Sequence, residues 1–307
     1  MAKSTAKPVE AEETGGSGWR RITRLWKRPD VRAGSTGQGE AWARADGQPP
    51  RLDRWSPIRL DLVQQLFGDG YLAPGGEAAF RAKLEGFDLQ PSHRLLHLGG
   101  GIGSGTRLAV AEYKLRATTI VNDPNLAEIG SALSVNAGLK RHALVEFGAY
   151  DSLVLRPRAF DLALVDEAFL LVRDKAALLD ALARALKAGG QLHFDCHCVT
   201  GADPHSPEIA IWRAHEPVSV YPTTLTFLRD QCARVGLAGF QAADVTDDHC
   251  AAIRGAFAGA VSKLAGVAQD PRRAAWLVAE ADFWNRRAAI LNSGQVAVQR
   301  IGVQLGV

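Results

Sequence analysis

No stretch of this sequence reaches the roughly 18 consecutive apolar residues that a membrane-spanning helix needs, so a transmembrane protein is not expected. Cysteine is scarce: Cys196, Cys198, Cys232 and Cys250 are the four in 307 residues, all late in a large chain. The opening "MAKSTAKPVEAEE" carries no apolar stretch of the secretory kind, and the expectation is a cytoplasmic protein with reduced thiols. A strong charge of one sign is also missing. The formal net charge is +3, too small by itself for a nucleic-acid binder, whose phosphate contacts show as a concentrated basic face. What is abundant is apolar material, 47% of the residues, ample for a packed soluble core.

Residues 1–50 differ from the rest. Gly, Ser, Pro, Lys, Arg and Glu dominate and aliphatic periodicity is nearly absent, the composition of a disordered tail. One piece stands out, "GWRRITRLWKRPD", where Trp19, Ile22, Leu25 and Trp26 recur at helical spacing among Arg20, Arg21, Arg24, Lys27 and Arg28. This reads as a short basic amphipathic helix. Either it is a peripheral foot on an anionic membrane surface or acidic protein, or its tryptophans pack back on the domain of residues 51–307.

From residue 95 strand and helix patterns alternate. "RLLHLG", "ATTIVND", "ALVEFG", "FDLALVD" and "QLHFDC" read as strands, and "SGTRLAVAEYK", "NLAEIGSALSVNAG" and "DKAALLDALARALKAGG" as helices. Such alternation builds an α/β fold, a parallel sheet with helices on both faces. Ligands of these sheets sit beyond the carboxyl ends of the strands. The residues to inspect are therefore Gly99 to Gly105, Asp123, Tyr150, Asp151, Asp166, Glu167 and Cys196 to Cys198.

The loop "LLHLGGGIGSG" places glycine at 99, 100, 101, 103 and 105. A dinucleotide fingerprint wants G-x-G-x-x-G, and neither Ser104 nor Thr106 supplies its third glycine, which disfavours a nicotinamide-dependent oxidoreductase. Asp123 follows the second strand, where a carboxylate can accept both hydroxyls of a ribose. It also stands in "NDPNLAEIG", the start of a helix, where the same carboxylate would act as an N-cap.

With these elements in order, residues 95–196 resemble a class I S-adenosylmethionine-dependent methyltransferase, a Rossmann-like seven-stranded fold. The segment "FDLALVDEAFLLVRDKAALLDALARALKAGGQLHFD" is similar to that family's fourth strand, helix and turn into the fifth strand. A narrower resemblance, to small-molecule N-methyltransferases of the phosphoethanolamine and glycine-betaine type, lies in "GDGYLAPGGEAAFRAKLEGFDL" and in "DVTDD" after "ARVGLAGFQAA". The resemblance implies S-adenosyl-L-methionine as cofactor and a small amine as methyl acceptor, with no nucleic-acid partner. It assigns His97, Gly99, Gly100, Gly101, Gly103, Asp123, Tyr150 and Asp151 to the cofactor, and Tyr71 and Glu167 to the acceptor.

The chain also departs from the family. His97 stands where an Asp or Glu usually helps to hold the methionine end of the cofactor, and Ala149 stands where an acid usually meets the adenine. Asp151 could take that second role with a shortened loop, and Tyr150 could lie against the adenine ring. The tyrosine and histidine that close the family's site over the amine correspond to Tyr71 and Leu171, so that dyad is incomplete. The expected acceptor is more apolar than phosphoethanolamine, with Glu167 holding or deprotonating its amine. A catalytically silent relative, retaining the fold as a binding or scaffold protein, is the alternative these departures raise.

In "HFDCHC" alternation puts His193, Asp195 and His197 on one side of a strand and Cys196 and Cys198 on the other, which rules against convergence on a metal. Buried cysteines, with Asp195 or His197 lining the site, is the expectation. "GFQAADVT" and "VAVQRIGVQL" read as strands six and seven, an antiparallel hairpin at the sheet's edge. Residues 247–294 between them, with 55–85 and 205–225, are expected to form a helical cover that excludes water and selects the acceptor.

Overall fold

The computed structural model describes residues 50–52, 55–201, 206–263 and 270–306. The basic amphipathic segment at 19–28 lies outside them. Two helices come first, α1 (Pro57–Phe67) and α2 (Gly76–Leu84). Next come β1 (Arg94–Leu98), α3 (Ser104–Tyr113), β2 (Arg116–Val121), α4 (Pro124–Asn136) and β3 (Ala143–Phe147). A 3-10 turn at Tyr150–Ser152 leads to β4 (Phe160–Val165), the single turn α5 (Ala168–Leu171), α6 (Lys175–Ala185) and β5 (Leu186–Val199). The remainder is α7 (Pro207–His215), α8 (Leu225–Arg234), β6 (Leu237–Asp244), α9 (Thr246–Lys263), α10 (Pro271–Asn292) and β7 (Val296–Leu305).

The strands form one seven-stranded sheet in the order β3-β2-β1-β4-β5-β7-β6. β1 to β5 are mutually parallel, and β7 runs antiparallel between β5 and β6. Central β1 is buried on both faces through Leu95, Leu96 and Leu98, as a strand covered by helices on either side must be. Helix starts are set locally: Asp123 caps α4, Asp174 caps α6 and Asp270 caps α10, each accepting a backbone N–H of the first turn. Pro124 and Pro271 follow two of these caps, where the missing N–H costs nothing.

One boundary differs from the sequence reading. The helical pattern through Gly190 stops at Ala185, and β5 begins at Leu186. A register shift against β4 between Phe160 and Leu162, with Gly189 at φ +73°, lets the chain turn straight from helix into strand. The antiparallel pair expected at the sheet's edge is present: β7 lies between β5 and β6, and β6 is the exposed margin.

The segments expected to form a cover contain α1, α2, α7, α9 and α10. Leu62, Val63, Phe67, Ile253, Trp276 and Trp284 make a separate apolar cluster among α1, α9 and α10. A buried ion pair, Arg59 Nε to Glu280 Oε1 at 2.5 Å, ties α1 to α10, and Arg273 bonds Asp61 at 2.7 Å beside it.

Candidate active site

The carboxyl ends of the parallel strands are held flush. Gly99 donates its N–H to the Ile120 carbonyl of β2 at 3.0 Å, and Asp166 donates to the Leu98 carbonyl of β1 at 2.9 Å. A cavity of about 360 Å³ opens above them. Of the site residues read from the sequence, Tyr71, His97, Gly99, Gly100, Gly101, Asp123, Tyr150 and Glu167 line it. Gly103 and Asp151 do not. Gly103 starts α3 at φ +78°, where a Cβ would stand 2.6 Å from Val145. Asp151 is turned to the Arg173 backbone N–H, which it accepts at 3.1 Å. Asp195 and His197 are also absent from the cavity wall. Asp195 is taken by Arg300 at 2.9 and 3.1 Å, and His197 is buried against Trp212.

The glycine loop is tight because protein approaches from both sides. A Cβ on Gly100 would stand 2.5 Å from His97 Nδ1, and one on Gly101, at φ +56°, would stand 3.1 Å from Leu72. Only glycine keeps this cradle open. Asp123 satisfies both of its sequence readings: Oδ1 caps α4 through the N–H groups of Asn125 and Leu126 at 2.8 and 3.0 Å, while the residue still faces the cavity. Tyr150 is buried beside it, its hydroxyl 3.4 Å from the Ile120 carbonyl. Burial holds its phenol above the ordinary value, so it stays protonated.

His97 has a physical role that the loop alone does not reveal. Its Nε2 lies 2.9 Å from Asp166 Oδ2, and because a carboxylate only accepts, Nε2 is the donor. Nδ1 meets the Thr106 hydroxyl at 3.2 Å, which in turn bonds Thr119. On the other oxygen of Asp166 sits Lys83 Nζ, from α2, at 2.5 Å. Burial would raise the Asp166 pKa, yet the Lys83 charge and the His97 hydrogen bond outweigh it and hold the carboxyl well below the usual range. Lys83 itself, which burial would discharge, is kept an ammonium by Asp166 and by Asp195 at 3.6 Å.

Farther along the cavity, Arg287 of α10 is 3% exposed and held between two acids. Nη1 reaches both oxygens of Glu167 at 2.8 and 2.9 Å, and Nε and Nη2 reach Glu216 at 2.9 Å each. The guanidinium also lies over Phe283, 4.5 Å from its centroid. Two carboxylates share one cation, which leaves this end of the cavity negative. Burial opposes the charge on Glu167, but Arg287 holds its pKa below the ordinary value, so the carboxyl is ionised at neutral pH.

Tyr71, from the loop ahead of α2, also lines the cavity. Burial and Glu77 push its phenol up to about 12, making it a hydrogen-bond donor at neutral pH and not a base. Leu171, at the position of the family's histidine, also lines the cavity. Lys83, Asp166, Arg287 and Glu216 were not singled out as site residues from sequence. Asp166 carried a signal, its place after a strand, and Arg287 stands in the aromatic and basic helix pattern "EADFWNRRAAILNSG"; Lys83 and Glu216 arrive on α2 and the turn after α7, with no motif of their own.

Residues 96–194 match the family model described as a methyltransferase domain. Over 151 residues the chain is 29% identical to phosphoethanolamine N-methyltransferase 1 of Zea mays, a match covering 48% of this chain and 29% of the maize protein. It is 26% identical over 141 residues to a glycine/sarcosine/dimethylglycine N-methyltransferase of Actinopolyspora halophila, covering 45% of this chain and 24% of that one. The chain thus spans less than a third of the length of these curated relatives. Its fold is shared with Haemonchus contortus phosphoethanolamine N-methyltransferase 2, solved with phosphomonomethylethanolamine and S-adenosylhomocysteine: TM-score 0.74 at 17% identity, over 83% of this chain and 60% of that one. The sheet order is that of the Rossmann-like class I S-adenosylmethionine-dependent methyltransferase fold, and residues 96–194 are similar to a methyltransferase domain. Within that class the chain is similar to the phosphoethanolamine-type N-methyltransferases.

Proposed function

We propose that this chain transfers a methyl group from S-adenosylmethionine to the nitrogen of a small, unphosphorylated amine. The residues suit the cofactor: Gly99, Gly100 and Gly101 line the cavity with bare backbone, packed so closely on Ala168, His97 and Leu72 that a side chain would clash, Asp123 offers a carboxylate to ribose hydroxyls, and Tyr150 an aromatic wall. Bound there, S-adenosylmethionine supplies an electrophilic methyl group on a sulfonium.

The observation that carries the choice of acceptor is the state of the cations around the cavity. Arg59 is paired with Glu280, Lys83 with Asp166, and Arg287 with both Glu167 and Glu216. A phosphate would have to displace a carboxylate at Arg59 and at Arg287, and at Lys83 it would share the ammonium with Asp166. An amine finds the opposite situation. The negative charge shared by Glu167 and Glu216 attracts a cationic head, and Trp284 and Phe283 stand in the same cavity wall. Tyr71 can donate a hydrogen bond at the acceptor, and the cover excludes water. N-methylation asks for little beyond alignment, since orientation alone can supply roughly 7 kcal/mol or more of the barrier.

A radiolabelled methyl-transfer assay with the full chain tests this. Ethanolamine-type and amino-acid amines, free of phosphate, are offered beside phosphoethanolamine. Transfer favouring the unphosphorylated amines is expected. Equal or better transfer to phosphoethanolamine overturns the acceptor class.

A further inference from the structure

The cavity crosses the edge of the sheet in a fixed order: Tyr150 beyond β3, Asp123 beyond β2, the glycines beyond β1, then Asp166 and Glu167 beyond β4. If the nucleoside of the cofactor rests at Tyr150 and Asp123, its amino-acid arm has to run across β1 toward β4. It arrives at an opposed pair of charges in the cavity wall, Lys83 and Asp166. That arm is a zwitterion, with a carboxylate and an ammonium on one carbon.

We propose that Lys83 and Asp166 are the recognition pair for this zwitterion, Lys83 taking its carboxylate and Asp166 its ammonium, with His97 as the residue that positions Asp166. The inference rests on the cofactor reading above and names the residues that serve it. Both side chains have capacity left. Asp166 accepts one bond on each oxygen, from Lys83 and from His97, while a carboxylate offers about four lone-pair sites. Lys83 has three donors and meets Asp166 at 2.5 Å and Asp195 at 3.6 Å. Their side chains are 17% and 18% exposed, so they are desolvated enough to bind strongly yet open to the cavity.

The same geometry accounts for His97. The strand-end acid of the family would here stand against Asp166, two carboxylates at hydrogen-bonding distance. With an imidazole at 97 the single carboxylate is carried one strand over, on β4, and held there by the Nε2–H donor. Because Lys83 belongs to α2, binding its charge also ties that helix to the sheet.

Calorimetric titration of the full chain decides this, using S-adenosylhomocysteine, its decarboxylated and deaminated analogues, and 5′-methylthioadenosine, which lacks the amino-acid arm. Wild-type protein should bind each truncated analogue roughly tenfold or more weakly, the worth of a charged hydrogen bond. Lys83→Met should lose roughly tenfold to a hundredfold against S-adenosylhomocysteine and nothing against the decarboxylated analogue. Asp166→Asn should show the same pattern with the deaminated one. His97→Ala should follow Asp166→Asn, and His97→Gln, which keeps a donor at that reach, should restore binding. Methylthioadenosine should bind all of these proteins alike. Variants with wild-type affinity, or with methylthioadenosine affinity falling in step, overturn the proposal. Should a variant fail to fold, the wild-type series decides alone, and equal affinity for intact and truncated ligands overturns it. Wild-type protein that binds neither S-adenosylhomocysteine nor methylthioadenosine removes the cofactor reading and this inference together.

Discussion

Nε2 of His97 lies 2.9 Å from Oδ2 of Asp166, joining the end of β1 to the residue that follows β4. The pair makes the two positions interdependent. Replacing His97 by Asp, the residue type usual in the family, sets two carboxylates against each other in a buried place. A loss of about 1–3 kcal/mol of unfolding free energy is expected, measured by urea denaturation. The exchanged variant His97→Asp/Asp166→His should recover most of it. Additive losses in the exchanged protein would show that the two side chains are not coupled.

Arg287 pairs with both Glu167 and Glu216, the latter side chain 2% exposed. Arg287→Leu strands two acids and should destabilise by about 3–5 kcal/mol. Glu167→Gln leaves the Glu216 pair intact and should cost far less. If the two variants unfold at the same denaturant concentration, the shared-cation picture is wrong.

Burial pushes His197 down to about 3 and His249 down to about 4, Arg287 acting in the same direction on both. Each is neutral in the fold but protonates in the unfolded chain near pH 6.5. Between that value and about 3 to 4 the unfolded state binds more protons, so stability falls as pH drops through this window and levels off below it. Each histidine contributes a slope of up to about 1.4 kcal/mol per pH unit. Denaturation curves of His249→Gln across the window should show a shallower decline than wild type. An unchanged slope would mean that His249 is protonated in the fold.

Tyr71→Phe removes a donor from the cavity wall, the one proposed above to meet the acceptor. Turnover should fall while S-adenosylhomocysteine affinity stays the same, a split that steady-state kinetics and calorimetry read separately. Normal turnover, or an affinity loss matching the rate loss, takes Tyr71 out of the acceptor site.

Much of the sheet was legible because its strands are short apolar runs bounded by turn residues, as in "RLLHLG" and "FDLALVD". Gly99 to Gly101, Asp123 and Tyr150 were legible for the same reason, since a site beyond strand ends can be found once the strands are. The overlong helix at 174–190 shows the limit: leucine spacing through Leu186 fits a helix, and only the sheet decides that Leu186 pairs with Phe160. The charges of the site were hidden for a different cause. Lys83 stands 83 positions from Asp166 and Arg287 stands 120 from Glu167, so no local pattern announces either pair. Gly103 and Asp151 lie outside the cavity wall for reasons of packing, Gly103 against Val145 and Asp151 through its bond to the Arg173 N–H.

The central claim is that the glycine cradle with Asp123 binds S-adenosylmethionine. Calorimetric titration of the full chain with S-adenosylhomocysteine, repeated on Asp123→Ala, tests it most directly. Saturable binding at one site is expected, weakened by about 1–3 kcal/mol in the variant through a lost charged hydrogen bond. A wild-type protein that takes up no ligand, or a folded variant that binds as tightly as wild type, would contradict it.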